Sequence, residues 1–194
     1  MSVTNERVAQ AQSLVTAEQF FALAPMLGRC ELIAGRIVKM SPGGGEHGVT
    51  SQRLSRVVGN WVEEHELGET VSNEPGFQLA TGPDTVRAPD LCFIAADRVP
   101  EPWPPGWLCA VPSLVLEVAG RGANRGELAT KVGQWLGFGV QVVWVLSIAD
   151  RCLIEHRSGG GVRRFGEDDM LVCEDLLPGF TYPLRKAFRG IAPV

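Results

Sequence analysis

Two acidic residues stand where acids are costly. Asp90 lies in Thr85-Val86-Arg87-Ala88-Pro89-Asp90-Leu91-Cys92-Phe93-Ile94, and Glu117 in Ser113-Leu114-Val115-Leu116-Glu117-Val118. Both segments read as buried strands and are otherwise largely apolar. A carboxylate taken out of water needs a cation or several hydrogen-bond donors to compensate it. Lys131 follows on a segment with helical periodicity. Two carboxylates and a lysine suit a hard divalent cation held by oxygen, with a positive charge beside it to assist phosphodiester cleavage. Each residue also has a plainer reading. Asp90 reads as a strand-edge acid accepting backbone N–H groups, Glu117 as the buried partner of an arginine, and Lys131 as a helix-edge lysine whose stem covers the core.

Four more residues belong beside these. Glu31 opens a hairpin and, taken alone, reads as a solvated charge at a strand end. His47 opens a helix in Gly45-Glu46-His47-Gly48, just after the run Gly43–Gly45. A helix N-terminus attracts phosphate, but the GxxxxGK[ST] pattern of a nucleotide loop is missing, and a connector with a capping role is the alternative. Arg121 and Arg125 flank the loop after Glu117. They read either as phosphate clamps or as charges that solvate the loop. The histidines are His47, His65 and His156, and none sits in an arrangement for nucleophilic catalysis.

The elements that must position these residues follow from patterning. Thr16-Ala17-Glu18-Gln19 is a capping box with Val15 and Phe20 as its staple pair, so a short helix is expected over about 17–24, stopped near Pro25. Residues 31–40 read as a hairpin turning at Ala34-Gly35. A long helix is expected over about 46–66, with Leu54, Val57, Val58, Trp61 and Val62 on its apolar face. Strands are expected near 69–73, 76–80, 85–95 and 113–119. The last is apolar on both faces, as in a central strand. A helix over about 124–138 carries Leu128, Val132, Trp135 and Leu136 on one side and leads to an apolar strand at 140–148, which pairs back with 151–157. Short strands and turns fill 162–188. A strand–helix–strand unit of this kind implies a parallel crossover in a mixed sheet, hence an α/β fold.

Composition sets outer bounds. The 194 residues are 45% hydrophobic and 21% charged with a net charge of −4, ordinary values for a globular protein. That length suits one domain, 1–194, with 1–13 as a loose tail. The acidic balance argues against a large nucleic-acid footprint but leaves room for a local basic cleft. The cysteines Cys30, Cys92, Cys109, Cys152 and Cys173 form no CxxC, which points to a reducing cytoplasm and no zinc site. Met1–Ser13 lacks the apolar segment of a secretory signal, and no apolar run reaches the roughly 20 residues of a membrane helix. Residues 97–112 form a stiff, proline-rich loop whose Trp103 and Trp107 are expected to make an exposed patch.

Taken in order, several stretches resemble a known family. They are Glu31-Leu32-Ile33-Ala34-Gly35-Arg36-Ile37-Val38-Lys39-Met40-Ser41-Pro42, Glu46-His47-Gly48, Arg87-Ala88-Pro89-Asp90-Leu91, Leu114-Val115-Leu116-Glu117-Val118, Arg125-Gly126-Glu127-Leu128 with Lys131, Gly139-Val140, and Val143-Trp144-Val145-Leu146. Over about residues 16–185 the chain resembles the Uma-type family of restriction-endonuclease-like proteins, within the PD-(D/E)XK nuclease superfamily. The resemblance implies a restriction-endonuclease-like core: a central mixed β-sheet flanked by helices, with an added N-terminal β layer. It implies Mg²⁺- or Mn²⁺-dependent endonuclease chemistry on nucleic acid, DNA favoured. Asp90 would be the aspartate of the PD motif, Glu117 the acid of the (D/E)XK motif, and Glu31 an extra metal ligand. The motif's lysine is absent, since position 119 is alanine, and Lys131 on the following helix takes its place. The chain also departs from the family at Ala119-Gly120-Arg121-Gly122, at Trp135 where tyrosine is usual, and at Ser147 where aspartate is usual. A homodimer is expected, because many nucleases cut paired strands. The alternative is a non-catalytic nucleic-acid-binding or interaction module that keeps the fold.

Overall fold

Thr16 begins the first helix as its capping box requires: its hydroxyl accepts the Gln19 N–H, and the Gln19 side chain accepts the Thr16 N–H. The computed structural model describes residues 14–72 and 74–193; the expected tail 1–13 lies outside them. The chain runs α1 (Ala17–Leu27), β1 (Cys30–Ile33), β2 (Arg36–Lys39), α2 (Gly45–Glu64), β3 (Gly68–Val71), β4 (Phe77–Ala80), β5 (Thr85–Arg87), β6 (Leu91–Ala95), β7 (Leu114–Ala119), α3 (Arg125–Phe138), β8 (Val142–Ser147), β9 (Cys152–Arg157), β10 (Val162–Gly166), β11 (Met170–Cys173) and β12 (Leu177–Pro183).

Among the described residues the strands form three sheets. The largest has six strands in the order β10-β9-β8-β7-β6-β3. Its β7 and β8 run parallel, with Glu117 opposite Val145, and α3 makes the crossover between them. Its other pairings are antiparallel. The fold is therefore α/β with a large mixed sheet flanked by helices. Alternation along β7 sends Leu114, Leu116 and Val118 toward Leu54, Val58 and Val62 of α2. It sends Val115 and Ala119 toward Val132 and Trp135 of α3. Burying each such aliphatic side chain contributes about 1.5–3 kcal/mol. A second sheet, β2-β1-β5-β4, is the added layer; Phe20 of α1 packs on it against Leu32 and Val86. The β1–β2 turn puts Ala34 at φ 48° and Gly35 at φ 73°, the left-handed pair that a two-residue hairpin requires. The third sheet pairs β11 with β12. No helix among the described residues is long and apolar enough to cross a membrane.

Three expectations need correction. Residues 85–95 are not one strand: β5 belongs to the small sheet and β6 to the large one, and Ala88–Asp90 join them. Pro89 has no N–H to donate to a ladder and marks the change of sheet. Pro25 does not stop α1, which continues to Leu27; it sits in the last turn, where the cost is confined to the helix end. Trp107 is not exposed with Trp103. Its ring stacks on Phe20 at 5.2 Å and its indole N–H donates to the Ala17 carbonyl, while Trp103 is 45% exposed.

Candidate active site

Asp90 sits just before β6 begins, and its side chain takes over a backbone role. Its own N–H donates to the Leu116 carbonyl at 3.1 Å, and its Oδ2 accepts the Val118 N–H at 2.7 Å. The carboxylate thus extends the β6–β7 ladder by one acceptor and lies beside the residue between, Glu117. Glu117 points to the α3 side of β7. Its Oε2 accepts from Lys131 Nζ at 2.8 Å, and its Oε1 accepts from the Trp135 indole N–H at 2.8 Å. Lys131 and Trp135 are one helical turn apart on α3, so a single helix face supplies both donors.

Glu31 arrives from the small sheet. Its Oε1 lies 3.3 Å from Lys131 Nζ and accepts the Ala88 N–H at 3.2 Å. Its Oε2 accepts from Arg87 Nη1 at 2.6 Å. The guanidinium of Arg87 is 2% exposed and donates through Nε to Gln134 Oε1 at 2.6 Å. Lys131 also donates to the Ala88 carbonyl at 3.2 Å. On the other side of Asp90, His47 Nε2 stands 3.3 Å from Oδ2 and Arg29 Nη2 4.0 Å from Oδ1. A Cβ on Gly43 would come within 2.9 Å of His47 Nδ1, so the glycine lets the loop close over the imidazole. Glu31, Arg87, Lys131 and Arg29 line a cleft of about 450 Å³ that reaches the site from the α1 side.

The charges are unevenly compensated. Burial pushes the Glu117 carboxyl up to about 7, against the pull of Lys131 and helped by the neighbouring Asp90 charge. Burial also opposes ionisation of Asp90, but the His47 contact, the Val118 N–H and Lys131 outweigh it and hold its carboxyl below the ordinary value. His47 is raised, chiefly by its contact with Asp90. Burial disfavours the Lys131 cation, yet Glu117 and Glu31 more than offset it and raise the amine.

The structure therefore brings together Asp90, Glu117, Lys131, Glu31 and His47. Arg121 is committed elsewhere, to both Glu46 carboxylate oxygens and the Ala192 carbonyl. Arg125 is 89% exposed, 3.8 Å from Asp150. Neither contacts the cluster. Sequence reasoning missed Arg87, Gln134, Trp135 and Arg29. Arg87 carried a signal, since it lies between Val86 and Ala88 in a run too apolar for a solvated arginine; Trp135 was marked only as a departure from the family's tyrosine, and Gln134 and Arg29 carried none.

The donor set suits a small hard cation. No group of three or more His, Cys, Asp or Glu side chains is gathered for a metal among the described residues. Mg²⁺ does not need one, because it keeps several waters and is held by one or two carboxylates with substrate phosphate. Among the described residues Asp90 Oδ1 has no donor nearer than Arg29 at 4.0 Å, and each Glu117 oxygen, with one described donor, retains a lone pair.

The family model described as "putative restriction endonuclease", Uma2, matches residues 17–185. The chain belongs to the Uma2 family. The fold is shared with a crystal structure from Anabaena variabilis ATCC 29413, described as a "putative nuclease belonging to DUF820". The two superpose with a TM-score of 0.74 at 15% identity, over 90% of this chain and 98% of that one. No curated protein matches the chain. Within the Uma2 match, Trp135 holds Glu117 with an indole N–H, and Ser147 donates to Asp150 at 2.8 Å.

Proposed function

We propose that this Uma2-family protein is a metal-dependent nuclease that hydrolyses phosphodiester bonds in nucleic acid, DNA favoured. The observation that carries this reading is the juxtaposition of Asp90 and Glu117 beside Val118 of β7, with Lys131 bonded to Glu117 and lining a cleft. Asp90 and Glu117 would hold Mg²⁺ or Mn²⁺. When bound, such an ion polarises a phosphoryl oxygen and acidifies a water. The chain does the rest. Lys131 presents an ammonium toward the position where negative charge grows on the phosphate. Trp135 fixes the rotamer of Glu117. Arg29, nearly half exposed at the cleft, supplies a cation for the incoming backbone. His47 keeps Asp90 ionised and oriented.

The test is cleavage of a labelled DNA and RNA mixture in Mg²⁺ and in Mn²⁺, with calorimetric Mn²⁺ titration of wild type and Asp90→Ala. Metal-dependent cleavage and a titration that disappears in Asp90→Ala support the reading. Absence of both sinks it. A second reading, a non-catalytic nucleic-acid-binding module, draws support from the protein partners that Glu117 and Glu31 already have. It predicts nucleic-acid binding that ignores metal and survives Asp90→Ala.

A further inference from the structure

The family resemblance suggests Glu31 as a third metal ligand, but its surroundings argue otherwise. We propose that Glu31 is a positioning residue for Lys131, braced by Arg87 and Gln134, and not a ligand for the metal. The inference rests on the nuclease reading above. Both oxygens of Glu31 are spoken for inside the protein: Oε2 by Arg87 at 2.6 Å, and Oε1 by the Ala88 N–H at 3.2 Å and Lys131 Nζ at 3.3 Å.

Arg87 cannot release its partner cheaply. It is 2% exposed, permanently charged, and Glu31 is its carboxylate. Turning Glu31 toward a cation would strand that guanidinium in the core, the situation in which a broken buried pair is most costly. A cation drawn to Glu31 would also approach the fixed charge of Arg87, 2.6 Å from Oε2, in addition to Lys131, which Glu117 shares. Among the described residues Asp90 and Glu117 have no arginine this close: the nearest, Arg29, is 4.0 Å from Asp90 and about half exposed.

The brace answers a geometric need. A lysine two residues after the glutamate would be held by its own strand. Lys131 instead reaches in from α3 on a flexible four-carbon stem. Its three N–H donors meet three acceptors: Glu117 Oε2 at 2.8 Å, the Ala88 carbonyl at 3.2 Å and Glu31 Oε1 at 3.3 Å. Glu31 sits on β1 and Ala88 in the link between β5 and β6, so neither is on β7, the strand of Glu117. Lys131 therefore keeps its place even while Glu117 is shared with a cation. Gln134 lies on the same helix as Lys131 and grips Arg87 from the other side, so α3 and the small sheet are locked together around the ammonium.

The chain contains three lysines, Lys39, Lys131 and Lys186, so ¹⁵N-lysine labelling can follow the Lys131 ammonium directly. Wild type should show one ammonium protected from solvent exchange. In Glu31→Gln that exchange should rise roughly five- to tenfold, as expected for one lost hydrogen bond of ordinary net strength. The Mg²⁺-dependent rise in Tm should stay as in wild type, and kcat should fall with KM and the Mg²⁺ half-saturation unchanged. Gln134→Ala, which leaves every charge in place, should move the exchange in the same direction by a smaller factor. Loss of the Mg²⁺ shift in Glu31→Gln would make Glu31 a ligand and overturn the proposal. Unchanged exchange in both variants would overturn it too, and Gln134→Ala decides alone if Glu31→Gln does not fold. A wild type that shows no Mg²⁺ shift sinks the nuclease reading, and the brace then stands or falls on the ammonium.

Discussion

Removing the charge from Glu117 should separate chemistry from stability. Burial raises its carboxyl from 4.5 to about 7. The folded state thus binds a proton that the unfolded chain has already released, and stability falls as pH rises between those values. Glu117→Gln has nothing to release. It should match wild type near pH 5, be the more stable protein near pH 8, and lose cleavage at both; melting curves across that range check the first two. Asp90 has the opposite sign. Its lowered carboxyl contributes stability above its ordinary value of 3.8 that is lost on acidification. His47 is raised, so its contribution is complete below 6.5 and fades as pH climbs past its folded value. Lys131→Ala should slow cleavage by about 10²–10³-fold, the scale of losing one preorganised charge-stabilising group, and keep the metal-dependent melting shift. Of these residues, the acids and the lysine were legible because polar groups interrupt apolar runs. Their partners were not. Nothing in the pattern of α3 says that Trp135 turns its N–H to Glu117, and nothing near Glu31 says that its arginine lies fifty-six positions away along the chain.

At the scale of elements, the site depends on two sheets meeting. Arg87 ends β5, Asp90 precedes β6, and Pro89 between them forces the change of sheet. Arg87→Met would leave Glu31 buried with only the Lys131 ammonium and the Ala88 N–H of its described partners. It should cost about 3–5 kcal/mol, the range for one deleted member of a buried pair, read as a lower urea midpoint with unchanged slope. Most elements were legible from periodicity: the two-residue hairpin, the amphipathic faces of α2 and α3, and the parallel β7–α3–β8 unit. The break at Ala88–Asp90 was not, because both halves are apolar and strand-like. Only tertiary pairing assigns them to different sheets. Trp107 misled for a related reason. A tryptophan among prolines looks exposed until α1 folds over it and offers the Ala17 carbonyl.

For the whole molecule, an overall charge of −4 limits how nucleic acid can be held. With Arg87 buried against Glu31, the other positive charge near the cluster comes from Arg29, Lys131 and His47. Two or three phosphate contacts predict a slope of log affinity against log salt of about −2 to −3. Fluorescence anisotropy between low and moderate KCl would measure it, and a much steeper slope would reveal a basic surface elsewhere. Trp103 remains the exposed aromatic of the proline-rich loop and a candidate anchor for the proposed homodimer. Light scattering should then show a dimer in wild type and a shift toward monomer in Trp103→Ser.

The bond from Val118 to Asp90 has a spectroscopic consequence. A main-chain amide that donates to a side-chain carboxylate reports on that carboxylate, which can take up a proton or a cation as the peptide carbonyls of the ladder cannot. Whatever withdraws electron density from Asp90, whether a proton or a cation, should shift the Val118 resonance upfield while that of Leu114, four residues back on β7, holds still. One peak in a ¹H–¹⁵N spectrum would then serve as a built-in indicator of the site, readable without substrate and in a variant that cannot turn over.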